Sequence, residues 1–180
     1  MRLRGEIKFK KKKKLFLVRQ IENSDITNFY VNSINKSKFL RYNTKTQIDK
    51  KFQIEYVNKI NESKNDIIIG IFNKNKLIGT CGAQKKSKKK YYLGIFIFNN
   101  KFRGFKLSKF LICFMAKYLY NYHNITYIYA SVNKKNVISH NLFNSLNFKK
   151  NKQEKRRYKS DIIYFIQTKN LNFLKNEKIQ

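Results

Sequence analysis

The chain has 180 residues, enough for one domain with a buried core, and its formal net charge is +31, from 41 basic and 10 acidic residues. Hydrophobic residues make up 42% and aromatic residues 16%, which is too apolar for an intrinsically disordered protein. No stretch approaches the roughly 18 apolar residues of a membrane-spanning helix, and the two cysteines lack metal-binding spacing, so the sequence predicts no metal site.

The positive charge has two explanations. A basic surface binds phosphate backbones without reading their sequence, which favours a nucleic-acid partner. Alternatively, Lys, Asn, Ile, Phe and Tyr have A/T-rich codons, and their abundance beside 6 Gly and no Pro is typical of an A+T-rich genome. Much of the charge lies in three runs, at 8–14, 85–90 and 149–159. Such runs are usually solvated, so we favour the codon explanation.

The cysteines and the N-terminus predict the compartment. Cys81 and Cys113 lie in apolar patterns, which indicates small buried hydrophobes of a reducing compartment. The apolar stretch Leu15–Val18 is too short for the core of a secretory signal. We therefore expect a cytoplasmic protein.

The first elements follow a basic arm over residues 1–14. Leu15–Ile21 is apolar and predicts a strand. Ser24 then has the residue type of a helix N-cap, and Asp25 would lie in the positive first turn of that helix.

A second helix and a hairpin come next. The helical stripe repeats every four residues and consists of Ile48, Phe52, Tyr56 and Ile60. Two apolar strands, Asp66–Phe72 and Leu77–Gln84, then flank an Asn-Lys-Asn-Lys turn and predict a hairpin.

The second half begins with the strand Tyr91–Phe98, which is apolar at almost every position, as in a strand covered on both faces. A helical period takes over at Leu107 and extends to Tyr122. A strand at Ile125–Val132, a short helix at Asn136–Leu146 and a strand at Asp161–Thr168 complete the set.

The order of elements predicts the fold class. Strands interspersed with helices favour an α+β fold, an α/β sandwich with helices on both faces of a central sheet. The chain has no internal repeat and no Pro- or Gly-rich linker. We expect a single domain over residues 15–170, followed by a C-terminal tail at 171–180.

The loop between the third apolar strand and the long helix is the first candidate site. It carries Arg103, Gly104 and Lys106 immediately before the helix starts. The first-turn amides of a helix have no intrahelical partner and the helix dipole favours an anion there, so this arrangement suits a phosphate. In a chain this rich in lysine, a basic loop before a helix also arises by chance.

The same stretch resembles the core motif of the GNAT superfamily of acetyl-CoA-dependent N-acetyltransferases, Arg/Gln-x-x-Gly-x-Gly/Ala. Arg103 takes the first position, Ser108 takes the last small position, and Lys106 stands where the middle glycine belongs. Gly104 matches the first glycine of the aromatic-Gly-x-Gly-x-Gly variant. The resemblance implies a mixed, mostly antiparallel sheet with helices on both faces. At Lys106 a Cβ is added where the backbone would approach a pyrophosphate.

A downstream segment resembles a second GNAT motif. Asn136 fits the asparagine that touches the cofactor, and Ser139 fits the small position after it. Asn147 replaces a glycine, which is tolerable because Asn also accepts a left-handed helix cap. Phe143 stands where many family members have the tyrosine that reprotonates the leaving thiolate, so this chain needs another acid or water.

The resemblance implies a set of site residues around acetyl-CoA as co-substrate. The backbone near the end of the third apolar strand would pair with the pantetheine arm, the loop amides would hold the pyrophosphate, and Asn136 would bond the arm from the other side. The implied cofactor-binding residues are Ile95, Phe96, Ile97, Arg103, Gly104, Phe105, Lys106, Leu107, Ser108 and Asn136. For a general base, the sequence offers His140, one helical turn after Asn136, and Glu55 on the second helix.

The implied function is N-acetyl transfer from acetyl-CoA to a primary amine by direct attack on the thioester. The acceptor would be a nucleotide-linked amino sugar, a protein N-terminus or a small amine, and the chain a monomer or a homodimer. The region at 38–66 resembles family members acting on amino-sugar nucleotides and on ribosomal-protein N-termini. The alternative is a catalytically degraded GNAT-shaped module that binds RNA or another polyanion through its lysines.

Overall fold

The computed structural model describes residues 3, 5–36, 48–152 and 159–171. Within these residues, eight strands form one sheet, and four α-helices lie on its two faces. The strands are β1 Ile7–Lys11, β2 Lys14–Gln20, β3 Ile67–Asn73, β4 Lys76–Ser87, β5 Lys90–Ile97, β6 Tyr127–Asn133, β7 Lys149–Asn151 and β8 Asp161–Gln167. The helices are α1 Asn28–Lys36, α2 Lys50–Glu62, α3 Leu107–His123 and α4 Val137–Asn144.

The strand order is β1-β2-β3-β4-β5-β6-β8-β7. Every neighbouring pair is antiparallel except β5 and β6, which run parallel. Helices α3 and α4 bury their apolar residues against one face of the sheet, and α1 and α2 bury theirs against the other. The predicted α+β class with a mixed, mostly antiparallel sheet is confirmed.

The first lysine run forms part of the sheet. Residues 7–11, which the sequence placed in a basic arm, form β1, and Lys12 and Lys13 make the turn into β2. Phe9 is the residue that holds the strand in place, because its ring is 2% exposed and stacks on Phe110 of α3 with centroids 3.9 Å apart. Ile7 and Phe9 alternate with lysines, but two apolar residues followed by a run of lysines are too few to establish a strand period. Arm residues 1, 2 and 4 lie outside the described residues.

The first helix starts later than its predicted cap. Residues Asn23–Asp25 form a short 3-10 turn, and α1 begins only at Asn28, so Ser24 is not its N-cap. Asp25 instead receives two hydrogen bonds from the Arg19 guanidinium, both at 2.7 Å. A bidentate charge-assisted pair outweighs the modest benefit of a carboxylate near a helix start.

The second helix buries a different face from the predicted one. Phe52 and Tyr56 of the predicted stripe are exposed, whereas Gln53 and Val57 are buried with Ile60. Gln53 tolerates burial because its Oε1 accepts a hydrogen bond from the Tyr30 hydroxyl on α1. The predicted stripe was therefore wrong at Phe52 and Tyr56 but correct at Ile60, and Ile48 also packs against this cluster. Residues 37–47, between α1 and α2 in the sequence, lie outside the described residues. They include the first part of the region at 38–66 that resembles family members acting on amino-sugar nucleotides and on ribosomal-protein N-termini.

Two further differences concern strands. The lysine run 85–90 lies largely at strand ends, because β4 extends beyond its predicted end to Ser87 and β5 begins at Lys90. The short edge strand β7 was not predicted, since its sequence is Lys-Lys-Asn. Parts of the predicted third lysine run (153–158) and of the C-terminal tail (172–180) lie outside the described residues.

Candidate active site

The parallel strands β5 and β6 separate along their length. They pair only from Lys90 with Tyr127 to Tyr92 with Tyr129, although β5 continues to Ile97 and β6 to Asn133. Beyond Tyr92, the edge of β5 that faces β6 has no strand partner among the described residues. Peptide groups on such an edge can hydrogen-bond an extended ligand as they would a neighbouring strand. We call this gap the β5–β6 opening.

The β5–β6 opening explains the burial of the end of β5. Ile95, Phe96 and Ile97 are half-buried, and Gly94 is exposed. A Cβ built on Gly94 meets no atom within 4 Å, so there is free space beside the strand. Tyr91 and Leu93 are buried on one face, whereas Tyr92 on the other face is half-buried, so the expectation that both faces of this strand are covered is wrong.

The loop after β5 presents unbonded amide groups to solvent. Gly104 has φ +78° and Lys106 has φ +57°, both in the left-handed region. Within the described part of the chain, no oxygen accepts a hydrogen bond from the amides of residue 104 or of residues 106–108. Because these amides lie at the N-terminus of the 17-residue helix α3, they form a concave donor set suited to a phosphate.

The space and charge around this loop also suit a phosphate. A Cβ built on Gly104 meets no atom within 4 Å. Arg103 and Lys106 are exposed, and Lys109 is half-buried one turn into the helix. Lys106 occupies the N-cap position without a side-chain capping bond, so its ammonium is not used by the helix itself.

The β1–β2 turn packs on this loop. The Lys14 ammonium lies 5.1 Å from the centre of the Phe102 ring and 5.3 Å from that of Phe105, and the Lys12 ammonium lies 5.0 Å from Phe105. Phe16 of β2 meets both rings edge-on. The first lysine run therefore adds cations beside the predicted phosphate loop. The sequence carried no signal for this, because the contact joins segments about ninety residues apart.

Asn136 lies at the start of α4, beyond the end of β6. Its Oδ1 caps the helix by accepting a hydrogen bond from the Ser139 amide at 3.1 Å. No acceptor among the described residues receives its Nδ2 hydrogens, which leaves a donor for a ligand. Asn147 has φ +60°, the left-handed backbone expected where the family has glycine.

His140 has both ring nitrogens engaged. Its Nε2 lies 3.2 Å from the Lys134 carbonyl and its Nδ1 lies 2.9 Å from the Tyr164 hydroxyl. Because a carbonyl only accepts, Nε2 carries the hydrogen, and Nδ1 of the neutral ring accepts from Tyr164. Burial raises the pKa of Tyr164, which keeps its hydroxyl protonated. The Tyr164 ring stacks on Phe143, with centroids 5.8 Å apart, so a hydroxyl-bearing ring lies beside the phenylalanine.

Glu55, the other candidate base, does not lie at the β5–β6 opening. Glu55 lies on the exposed side of α2, and α2 packs on β3 rather than along the β5–β6 opening. Cys81 of β4 pairs with Ile95 but is fully buried, and that burial raises the pKa of its thiol to about 12. No cluster of three or more His, Cys, Asp or Glu suited to a metal ion occurs among the described residues, and none of their helices is long and apolar enough to cross a membrane.

Comparison with solved structures finds the same fold in N-acetyltransferases. The spermidine N-acetyltransferase of Vibrio cholerae, solved with CoA and spermine, has TM-score 0.72 and 18% identity, over 87% of this chain and 97% of that one. The ribosomal-protein-S5-alanine acetyltransferase of Vibrio fischeri has TM-score 0.68 and 14% identity, over 91% and 98%. Mycobacterium smegmatis RimJ, solved with CoA-disulfide, has TM-score 0.73 and 10% identity, over 93% and 90%.

Sequence comparison identifies the family. A search of curated proteins finds no significant match. The family model of the acetyltransferase (GNAT) family matches residues 27–148, which is more than half of the chain and runs from the start of α1 to the end of the Asn136 segment. The chain is therefore a member of the GNAT family of acetyltransferases.

Proposed function

We propose that this protein transfers the acetyl group of acetyl-CoA to a primary amine by direct attack on the thioester. The observation that carries the proposal is the β5–β6 opening, which leads to unbonded amides at the N-terminus of α3. The β5–β6 opening suits an extended amide-containing arm, and the unbonded amides suit a pyrophosphate. Their adjacency matches the two parts of CoA.

Each predicted cofactor residue has a role in this proposal. Backbone groups of Ile95, Phe96 and Ile97 bond the pantetheine arm and polarise the thioester carbonyl. The unbonded amides of Gly104 and of residues 106–108 bind the pyrophosphate, with charge from Arg103, whereas the Phe105 amide, also expected to contribute, already donates to the Phe102 carbonyl. Asn136 donates from Nδ2 to the arm.

Further cations extend the phosphate site. Lys106 is the exposed N-cap residue of α3, and the Lys12 and Lys14 ammonium groups lie over the adjacent Phe105 ring. Cations near a bound phosphate contribute about 0.3–1 kcal/mol each when exposed.

Direct attack is favoured over an acyl-enzyme. Cys81 is the cysteine opposite β5, yet it is fully buried and its thiol has a pKa of about 12, so it is neither accessible nor ionised near neutral pH. The amine nitrogen then forms its bond to the carbonyl carbon as the C–S bond breaks. His140 serves as the base only if Nδ1 releases the Tyr164 hydroxyl.

The acceptor is proposed as a primary amine of one of three kinds: a small amine, a protein N-terminus or a nucleotide-linked amino sugar. The structures of similar fold include enzymes named for spermidine and for the alanine of ribosomal protein S5. These names support amines as the acceptor class and leave the three kinds open to a direct screen.

The first experiment measures thermal stabilisation by acetyl-CoA against adenosine bisphosphate and pyrophosphate at matched ionic strength. These controls are needed because a chain of net charge +31 is stabilised by many polyanions. At 100 times Kd, specific binding adds about 2.7 kcal/mol to the free energy of unfolding. For a domain of this size, Tm rises by about 5–10 °C.

The result separates the proposal from the polyanion-binding alternative. A rise with acetyl-CoA well above both controls supports the proposal, and a screen of the three amine kinds for thiol release then follows. Equal rises with all three ligands contradict it and favour a polyanion-binding module, to be tested with RNA.

A further inference from the structure

Asp161 is a buried acid in a strongly basic protein. It begins β8 and is 2% exposed, while the chain has 41 basic and 10 acidic residues. Its Oδ2 accepts a 2.6 Å hydrogen bond from the Ser131 hydroxyl, and its Oδ1 is buried without any hydrogen-bond partner. Buried polar atoms are nearly always paired, so an orphaned carboxyl oxygen indicates a missing donor.

The pair borders the β5–β6 opening. Ser131 lies on β6 two residues beyond Tyr129, the last residue of β6 that pairs with β5, and so within about 7 Å of it along the strand. Asp161 lies opposite Asn133 in the β6–β8 ladder. Both side chains therefore lie where β6 has separated from β5.

The pair also lies on a defined face of the sheet. The alternating residues Ala130, Val132 and Tyr164 pack in the core beneath α3 and α4. Side chains along a strand alternate between faces, so Ser131 and Asp161 lie on the opposite face, the one that carries α1 and α2. A co-substrate with its pyrophosphate at the start of α3 leaves this face of the opening to the acceptor.

The chemistry of the pair suits an ammonium group. The Ser131 hydroxyl hydrogen is used by Asp161, so the Oγ lone pairs remain to accept a hydrogen bond, and the buried Asp161 carboxylate supplies negative charge beside them. No Lys, Arg or His among the described residues lies within the 4.0 Å of an ion pair with Asp161. The nearby Lys134 donates its backbone amide to the Ser160 carbonyl and makes no such pair. Within the described residues, no cation therefore neutralises this carboxylate.

We propose that Ser131 and Asp161 receive the ammonium group of the acceptor amine on the α1–α2 face of the β5–β6 opening. Ser131 Oγ contacts the amine, and Asp161 is the positioning residue that orients this hydroxyl and supplies the opposite charge. The inference rests on the proposed function, because it assigns the acceptor end of the same site. The proposal predicts that a cationic primary amine binds at this carboxylate, although the net charge of the protein, +31, disfavours cations elsewhere.

The test uses the full-length variants Ser131→Ala, Ser131→Thr and Asp161→Asn. Two controls are matched to them: Glu6→Gln also converts an acid to its amide, and Ser145→Ala also removes a hydroxyl, one that bonds the Leu142 carbonyl. The wild type is first assayed with spermidine, an alanine-terminated peptide and a nucleotide-linked amino sugar. Kinetics then use the amine with the fastest turnover.

We expect Ser131→Ala and Asp161→Asn to raise the KM for the amine at least tenfold and to leave the Kd for acetyl-CoA within twofold of wild type. Ser131→Thr keeps the hydroxyl and should remain within threefold of the wild-type KM. Both control variants should match the wild type. This split between amine and acetyl-CoA is not expected of a residue that only stabilises the fold.

Three results would overturn the inference, and they are distinguishable. If the wild type acetylates an amine and both Ser131→Ala and Asp161→Asn keep its KM, the inference fails while the proposed function stands. A lower Tm for Asp161→Asn with unchanged KM also overturns the inference, since the residue then only stabilises the fold. If the wild type acetylates none of the three amines, the proposed function fails, and this inference fails with it.

Discussion

Replacing Gly104 with alanine separates the backbone strain of the phosphate loop from its role in binding. The glycine has φ +78°, and a Cβ there meets no atom within 4 Å in the free protein. Gly5, before β1, is a matched control, with φ +79° and again no atom within 4 Å. The two alanine variants therefore carry the same conformational cost, but only one of them changes the candidate phosphate site.

The expected stability change is small and equal for the two variants. A left-handed backbone costs alanine about 1–2 kcal/mol, and the reduced freedom of the unfolded chain returns about 0.4–1 kcal/mol. The net loss therefore lies between about 0 and 1.6 kcal/mol, which lowers the Tm of a domain of this size by at most about 6 °C. We expect this decrease for both Gly104→Ala and Gly5→Ala, measured without ligand.

The expected binding change affects one variant only. A methyl group at residue 104 occupies the space that the loop leaves for the pyrophosphate, so acetyl-CoA should bind at least tenfold more weakly, a loss of about 1.4 kcal/mol. At a fixed ligand concentration well above Kd, the rise in Tm that acetyl-CoA produces should then be smaller by about 3–6 °C. Gly5→Ala should keep the full wild-type shift. If Gly104→Ala also keeps it, the phosphate does not bind at this loop and the reasoning is refuted.

Three further predictions concern strain, cysteine and an ion pair. Lys106→Gly should raise Tm, because glycine adopts φ +57° without strain, but it should weaken the binding of acetyl-CoA. The control Lys74→Gly, at φ +49° in the β3–β4 turn, should raise Tm without changing the Kd for acetyl-CoA measured by calorimetry. Cys81→Ala should lower Tm yet retain kcat, and loss of turnover at intact fold would contradict direct attack. Arg19→Gln should lower the free energy of unfolding by about 1–2 kcal/mol after allowance for solvent screening, because it removes both 2.7 Å hydrogen bonds to Asp25. This loss corresponds to a Tm lower by roughly 2–8 °C. An unchanged Tm would show that the ion pair contributes nothing to stability.

The sequence by itself predicted the features that depend on neighbouring residues. The strand that ends near Ile97, the basic loop with Gly104 and the helix from Leu107 are contiguous, so their residue types and periods predicted the unit before any long-range contact was considered. The α+β class followed in the same way from the order of the elements. Asn147 was also correctly predicted to accept a left-handed backbone.

Only the tertiary structure decided the features that join distant segments. The lysine run forms a strand because the Phe9 ring packs on Phe110 of α3, and Gln53 is buried in α2 because the Tyr30 hydroxyl of α1 bonds it. The β5–β6 opening depends on how far two parallel strands stay paired, which neither strand encodes alone. Ser131 and Asp161 meet across thirty residues through the register of β6 with β8. Strand pairing, register and packing are properties of pairs of segments, so periodicity within one segment cannot reveal them.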